Sequence, residues 1–360
     1  MSVEPTPPVL AAVPDTAAMA PGLLPAIQSA ADAAALERAA AGLLPAVRQA
    51  LQQGLPALDA VRLVSHVNDA VCAAVLDRLL PAAGLDPGRA CWLVMGSQAR
   101  GEQTLVTDQD NAWVLADGMD DAERERWRAV GEQTNQELAS CGVPLCGGLI
   151  MAGQPACCLT VSEWCGYFDR WMDRAGAAEL LSARIYFDLR GHHGNLQLAA
   201  VLRDHIRQGV LARPGFLARM ARNVLANRVA LTWWGGLATM VVDGQRVFDL
   251  KRSGTQVVVD AARLYALSTG STALGTVQRL NAAAPALRVP ASELQDWLHG
   301  FAGLNALRLQ IQLAAPDATV GVLNRVPLDR LGPNQRDALK RSLRSARVLQ
   351  RRVALDWPGG

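Results

Sequence analysis

Cys91-Trp92-Leu93-Val94-Met95-Gly96-Ser97-Gln98-Ala99-Arg100-Gly101-Glu102-Gln103, followed by Thr107-Asp108-Gln109-Asp110-Asn111, is the stretch from which the fold can be read. An apolar run that stops at Gly96 predicts a short buried strand. Gly96 lets the backbone turn sharply and approach a ligand closely. Ser97 is placed to cap a following helix whose free N–H groups would face a phosphate, and Arg100, one turn on, can offer the same anion a bidentate fork. Asp108 and Asp110 then begin the next strand, where alternate residues project to one face. Two hard oxygen ligands side by side suit Mg²⁺ (or Mn²⁺) shared with a triphosphate. The matching chemistry is in-line displacement at the α-phosphate with pyrophosphate leaving. A lone Asp-x-Asp is usually a solvated turn and a lone Gly-Ser a turn or cap; their order and spacing after a buried strand make the set specific.

On either side of this core the period of the apolar residues changes. From Leu23 to Leu80 they recur at three- and four-residue intervals, as in Leu51, Leu55, Leu58, Val61, Val64 and Val67, which predicts two or three amphipathic helices. Further strands are expected over Asn111 to Ala116 and near Gly148 to Met151, with a charged helix, Asp121 to Ser140, between them. Such alternation indicates a small α/β unit of roughly a hundred residues. Helices are then expected over Leu180 to Leu189, Leu196 to Gln208, Gly215 to Leu231, Val257 to Leu267, Gln295 to Leu313 and Asn334 to Val353, the last strongly basic on its outer face. Short strands fit Ala238 to Asp249, where Asp243-Gly244 offers a turn.

The string GSQARGEQTLVTDQDNAWVL, with Gly96-Ser97 and Asp108-x-Asp110 inside it, resembles the polymerase-β-like nucleotidyltransferase superfamily and, more closely, its DUF294 subgroup. The likeness extends to His66-Val67-Asn68-Asp69-Ala70 and Ile185-Tyr186-Phe187-Asp188-Leu189-Arg190. Phe248 to Lys251, Val259 to Leu267, Thr276 to Leu280 and Leu307 to Gln312 resemble the substrate-binding domain that accompanies the subgroup. The resemblance covers about residues 55 to 355. It implies an α+β fold: a polymerase-β-like α/β unit flanked by N-terminal helices and a mainly helical C-terminal domain. The expected division is a loose tail over 1–21, a helical region over 22–84, a nucleotidyltransferase domain over 85–190 and a helical substrate-binding domain over 191–360. It also implies an activity related to PII-protein uridylyltransferase, a regulatory transfer of a nucleoside monophosphate.

The expected catalytic and metal ligands are Asp108 and Asp110. The superfamily usually supplies a third carboxylate; Gly142 to Met151 contains no acid, and the candidates are Glu163, Asp169 and Asp188. Asp188 is the one assigned to the metal, against the plainer reading of an ion pair with an arginine. Nucleotide contacts are expected from Gly96, Ser97, Arg100, Glu102, Gln103, Lys251 and Arg263. Lys251 stands out because only it and Lys340 are lysines among 35 basic residues, and a compact ammonium suits a phosphate oxygen. Arg263 beside Asp260 reads equally well as a structural ion pair.

Composition bounds the alternatives. Half of the 360 residues are apolar and 19% are charged, so a large core is expected, and a net charge of +2 argues against a nucleic-acid coat. The seven cysteines form no CxxC pair, which fits buried thiols in a reducing cytoplasm. Cys157, Cys158 and Cys165 with His192 and His193 match no common zinc spacing. The proline-rich start has no basic leader, and no apolar stretch is long enough to span a membrane. Trp164 and Trp171, seven apart, share a helix face and read as core; Trp233-Trp234 has no assigned role, and His192-His193 reads as a loop pair. Three functions remain: a nucleotidyltransferase acting on an NTP and a hydroxyl, with an acceptor protein among the candidates that the likeness implies; an NTP- and Mg²⁺-binding sensor with little turnover; and a helical interaction protein.

Overall fold

The computed structural model describes residues 20–174, 184–242, 244–315 and 323–358. Nearly all of the expected tail therefore lies outside the described residues. Four helices, not two or three, form the N-terminal block: α1 (Leu23–Gln28), α2 (Ala33–Ala40), α3 (Leu43–Gln52) and the long α4 (Ala57–Ala82). Gly22, at φ 90°, opens the block before α1, and Gly54, at φ 91°, supplies the left-handed turn between α3 and α4.

The α/β unit is a four-stranded sheet with β1 (Ala90–Met95) and β2 (Asn111–Leu115) at its centre and β3 (Cys158–Thr160) and β4 (Leu189–Gly194) at its edges, in the order β3-β2-β1-β4. β1 runs antiparallel to β2 and β4, and β3 is parallel to β2. Every residue of β1 and β2 is buried, which is why both read as continuous apolar or amide-bearing runs. The pleat sends alternate side chains to two cores. Trp92, Val94, Trp113 and Leu115 join the N-terminal helices and α6 (Asp121–Ser140), whereas Cys91, Leu93, Met95 and Val114 join the C-terminal helices. On the first side Trp92, Trp113 and Trp127 pack edge to face in succession, with ring centroids 4.9 Å apart in each pair.

Two expectations need correction here. Gly148 to Met151 is no strand: Leu149 sits at φ 57°, and Ile150 only lends its carbonyl to the Asn111 N–H at 3.1 Å. The third strand is instead β3, three residues long. The helix expected to reach Leu189 stops short, because Leu189 opens β4, on which His192 and His193 lie; residues 180–183 fall outside the described part.

Beyond β3 come α7 (Val161–Arg174), which buries both Trp164 and Trp171, then α8 (Leu196–Leu211) and α9 (Pro214–Ala226). A small sheet follows, with β5 (Met240–Val242) paired to β6 (Gln245–Asp249) and β6 to β7 (Arg325–Pro327); Asp243 of the expected turn lies outside the described residues. A π-helical turn, Lys251–Thr255, leads into α10 (Gln256–Ser268), followed by α11 (Thr276–Ala283), α12 (Ala291–Ala314) and α13 (Pro333–Asp356). The fold is α+β, with mainly helical flanks. Among the described residues no helix is long and apolar enough to cross a membrane.

Candidate active site

The turn after β1 brings the acidic pair and the glycine together. Gly96 has φ 55°, and a Cβ added there would stand 2.6 Å from Asp110 Oδ2. The backbone fixes this approach, since Met95 N–H donates to the Asp110 carbonyl and Gly96 N–H to the Asp188 carbonyl, both at 2.9 Å. Gly96→Ala therefore meets a left-handed backbone and a clash at once. It is expected to cost about 1–3 kcal/mol in urea unfolding and to displace Asp110; a variant of unchanged stability would contradict that packing.

The helix after Gly96 is a single turn, α5 (Gly96–Ala99), and Ser97 does not cap it: the residue before the helix is Met95, and Ser97 Oγ lies 3.4 Å from Thr107 Oγ1. β2 begins at Asn111, so Asp108 and Asp110 lie on its extended lead-in. The alternation survives because of a buried amide network. Gln109 Nε2 donates to the carbonyls of Asn135 and Val143 at 2.9 and 2.7 Å, and Asn135 Nδ2 donates to Gln109 Oε1 and Asn111 Oδ1 at 2.9 and 2.8 Å. With Gln109 and Asn111 locked inward, Asp110 between them and Asp108 before them fall on the other side of the alternation.

Both acids are partly exposed. Burial and the neighbouring charge of Asp108 push the Asp110 carboxyl up to about 7, against a weaker downward pull from Lys251 and Arg100. Among the described residues only the Cys146 thiol, 3.6 Å away, donates to the Asp110 side chain. Burial and Asp110 push that thiol up, so it remains a donor. The native state thus holds a proton on Asp110 over a range where the unfolded chain, with an ordinary carboxyl near 3.9, does not. Stability should consequently fall as pH rises from about 4 to about 7, by on the order of 1–2 kcal/mol after solvent screening. Urea melts of the chelator-treated protein across that range, compared with Asp110→Asn, would check this; identical slopes would refute it.

The C-terminal helices close the other side. A pocket is lined by Ser97, Thr104 and Thr107 from the first half and by Lys251, Asn305 and Arg308 from the second. Lys251 opens the π-helical turn and is near enough for its charge to act on Asp110. Arg308 was not singled out from the sequence, although it is the only charged side chain between Asp296 and Asp317. Its Nη2 donates to Thr104 Oγ1 at 3.2 Å, while its buried Nε has no partner among the described residues. Burial and the charge of Arg100 push its guanidinium down to about 10. This is a cation short of an anion.

The remaining expected nucleotide residues do structural work. Arg100 donates to Glu102 Oε2 at 2.8 Å and to Asp188 Oδ2 at 2.6 Å, so its fork is committed although it borders the pocket. Glu102 accepts from Thr276 N–H and Oγ, capping α11. Gln103 is buried, accepts from Asn68 Nδ2 at 3.1 Å and donates its N–H to Ser65 Oγ at 2.8 Å. Arg263 grips Asp188 with Nε at 2.8 Å and Nη2 at 2.6 Å, and reaches Asp260 at 2.7 Å.

Asp188 itself does not join the acidic pair, a correction to its assignment as a metal ligand. It has no exposed surface, and Arg100, Arg263 and Arg279 all donate to its two oxygens. Burial alone would raise its pKa; the arginines win and hold it well below the usual carboxylate range. The other two candidates are also engaged, Glu163 by Arg124 and the Thr160 N–H, Asp169 by His205 and Arg213. Among the described residues no three His, Cys, Asp or Glu side chains are grouped to hold a metal ion. His192 and His193 face α4, at the Asp69 carbonyl and the Asp77 carboxylate, 3.0 and 2.8 Å away.

No curated protein matches the chain. Two family models do. The model described as "Putative nucleotidyltransferase DUF294" matches residues 43–178, and the one described as "Putative nucleotidyltransferase substrate binding domain" matches residues 214–357. The first spans the Gly96 turn and the Asp108/Asp110 pair, the second Lys251 and Arg308. With both models matched in this order over most of its length, the chain belongs to the DUF294 family.

Proposed function

We propose that the cleft between the acidic pair and the Lys251/Arg308 pair takes an NTP and passes its nucleoside monophosphate to a hydroxyl. The observation that carries this reading is charge held on both walls without an ion pair: among the described residues neither of the two adjacent carboxylates on one wall nor either of the two cations on the other forms a salt bridge, and the buried Arg308 Nε has no hydrogen-bond partner. A metal–triphosphate complex has the charges to satisfy both. Asp108 and Asp110 fit a divalent cation, Mg²⁺ or Mn²⁺, because they are adjacent hard oxygen donors that form no salt bridge among the described residues; when bound, such an ion would supply Lewis-acid charge at the reacting phosphate. Lys251 and Arg308 would orient the phosphates. In the transfer the acceptor oxygen bonds to the α-phosphorus, the bond to the bridging oxygen breaks, pyrophosphate leaves and the hydroxyl proton is lost to water or to a carboxylate.

The acceptor we favour is a hydroxyl on a small regulatory protein, as in PII uridylyltransferase; the family resemblance of the Gly96 to Leu115 string supports it. Incubation with each α-labelled NTP and Mg²⁺ or Mn²⁺ in host lysate should label one protein band and reveal the base preference. Label found only in small molecules would overturn the protein-acceptor part.

A second reading, an NTP sensor with little turnover, is favoured by one observation: no third acid joins the pair among the described residues. It differs in outcome, giving metal-dependent NTP binding without transfer.

A further inference from the structure

Two sequence features play no part in the cleft, the Trp233-Trp234 pair and the basic outer face of α13. They meet on one surface. Trp233 and Trp234 are 80% and 73% exposed, and their ring centroids lie 3.5 Å apart. Arg347 of α13 holds the loop that carries them, donating to the Leu231 and Thr232 carbonyls, and Arg344 Nη2 lies beside Gly235 of the same loop. Between the loop, the end of α9 and α13 runs a shallow groove with an apolar floor of Leu225, Val229 and Leu231. Its rim carries Arg228, Trp233 and Arg351.

The charge on this rim is uncompensated. Among the described residues Arg228, Arg344 and Arg351 form no salt bridge, and Arg347 is held by carbonyls, which leave its charge in place. Burial and nearby Arg351 push the Arg347 guanidinium down, a sign of crowded like charges. The stripe continues along α13 at three- and four-residue steps, where Arg341, Arg344, Val348, Arg351 and Leu355 are all exposed. Exposed tryptophan is expensive to leave in water, and tryptophan and arginine are the residues that most often anchor protein interfaces.

We infer that this groove docks an acidic, amphipathic segment of a partner protein, its aliphatic side chains on the Leu225–Val229–Leu231 floor and its carboxylates against Arg228, Arg344 and Arg351. A protein segment is favoured over a bilayer or a nucleic acid by the lining: apolar Leu225, Val229 and Leu231 lie in one groove with Trp233, Arg228 and Arg351, which suits a chain that carries both aliphatic side chains and carboxylates. The inference does not depend on nucleotide transfer, since none of these residues borders the catalytic cleft.

The test uses the full chain and a panel of fluorescent glutamate- and leucine-rich helical peptides, read by anisotropy. Glutamine-for-glutamate peptides, oligo-dT and phosphatidylserine vesicles form the comparison arms. The expected result is binding of acidic peptides that weakens at least tenfold in R344E/R351E and in W233A/W234A, persists in R351K, and is lost with the glutamine peptides. Circular dichroism and NTP binding should be unchanged in the variants. Failure of the whole acidic panel, equal binding by the charge-reversal variant, or variant-sensitive binding of oligo-dT or vesicles without peptide binding would each overturn it.

Discussion

Asp110→Asn is expected to abolish nucleotidyl transfer, lowering the rate by at least about a thousandfold, while the protein folds as before. Removing a group that stabilises charge at a reacting phosphate typically costs two to three orders of magnitude or more. The fold should tolerate the change because the Asp110 side chain, partly exposed, receives only the Cys146 thiol among the described residues. The carbonyl that anchors Met95 N–H belongs to the backbone and is retained. Above pH 7 and without metal the variant should even be slightly more stable than the parent, since it no longer holds a second negative charge beside Asp108. Pyrophosphate release and urea midpoints measured on the same preparations check both halves. Comparable turnover in parent and variant would remove Asp110 from the chemistry.

Asp188→Asn should have the opposite profile, a large effect on folding. Asp188 is the shared anion for Arg100, Arg263 and Arg279, with every contact between 2.6 and 2.8 Å and no solvent exposure. Neutralising it leaves three buried guanidiniums against only Glu102 and Asp260, and breaking a buried pair by removing one partner costs about 3–5 kcal/mol. The junction is also where the halves meet: Arg100 follows the Gly96 turn, Arg263 and Arg279 come from α10 and α11, and the Asp188 carbonyl receives Gly96 N–H. Loss of the site's shape should accompany loss of stability. Because the folded pKa is depressed, this contribution is complete above about pH 4 and lost as pH falls through the acid range. The parent should therefore lose more stability than the variant on acidification. A urea midpoint shift under about 1 kcal/mol would show that the cluster is not holding the halves together.

The parts of this arrangement that were legible in the sequence are those whose pattern is local. Cys91 to Met95 is apolar on both faces because β1 is covered on both, and Asp121 to Ser140 matches α6 end to end because Asp120 caps its start and Gly142, at φ 92°, follows its C-cap Cys141. β4 was missed because Leu-Arg-Gly-His-His-Gly carries no apolar alternation; backbone pairing to β1 makes it a strand, with Gly191 packed close to Ala199 and Cys91. A helix of four residues at Gly96 offers no periodicity to read, and it begins one residue before Ser97, so the cap expected there is not formed. Arginine roles were the least legible. Arg100, Arg263 and Asp188 each invited a ligand role, yet sequence alone could not tell that Asp188 binds both arginines, across 88 and 75 residues, instead of facing a metal. Arg308 could have been found, as a single charge in the apolar run Trp297 to Ala315.

The claim that most needs testing is that the cleft between Asp108/Asp110 and Lys251/Arg308 performs transfer at the α-phosphate. The direct measurement is a parallel reaction of the purified protein, with its labelled acceptor fraction, on α-labelled and γ-labelled NTP in the presence of Mn²⁺. The account requires α-label to become covalently attached to acceptor, one pyrophosphate to be released for each label incorporated, and both to be lost in Asp110→Asn and strongly reduced in Lys251→Ala. Attachment of γ-label, release of inorganic phosphate without attachment, or metal-dependent binding with neither product would contradict it.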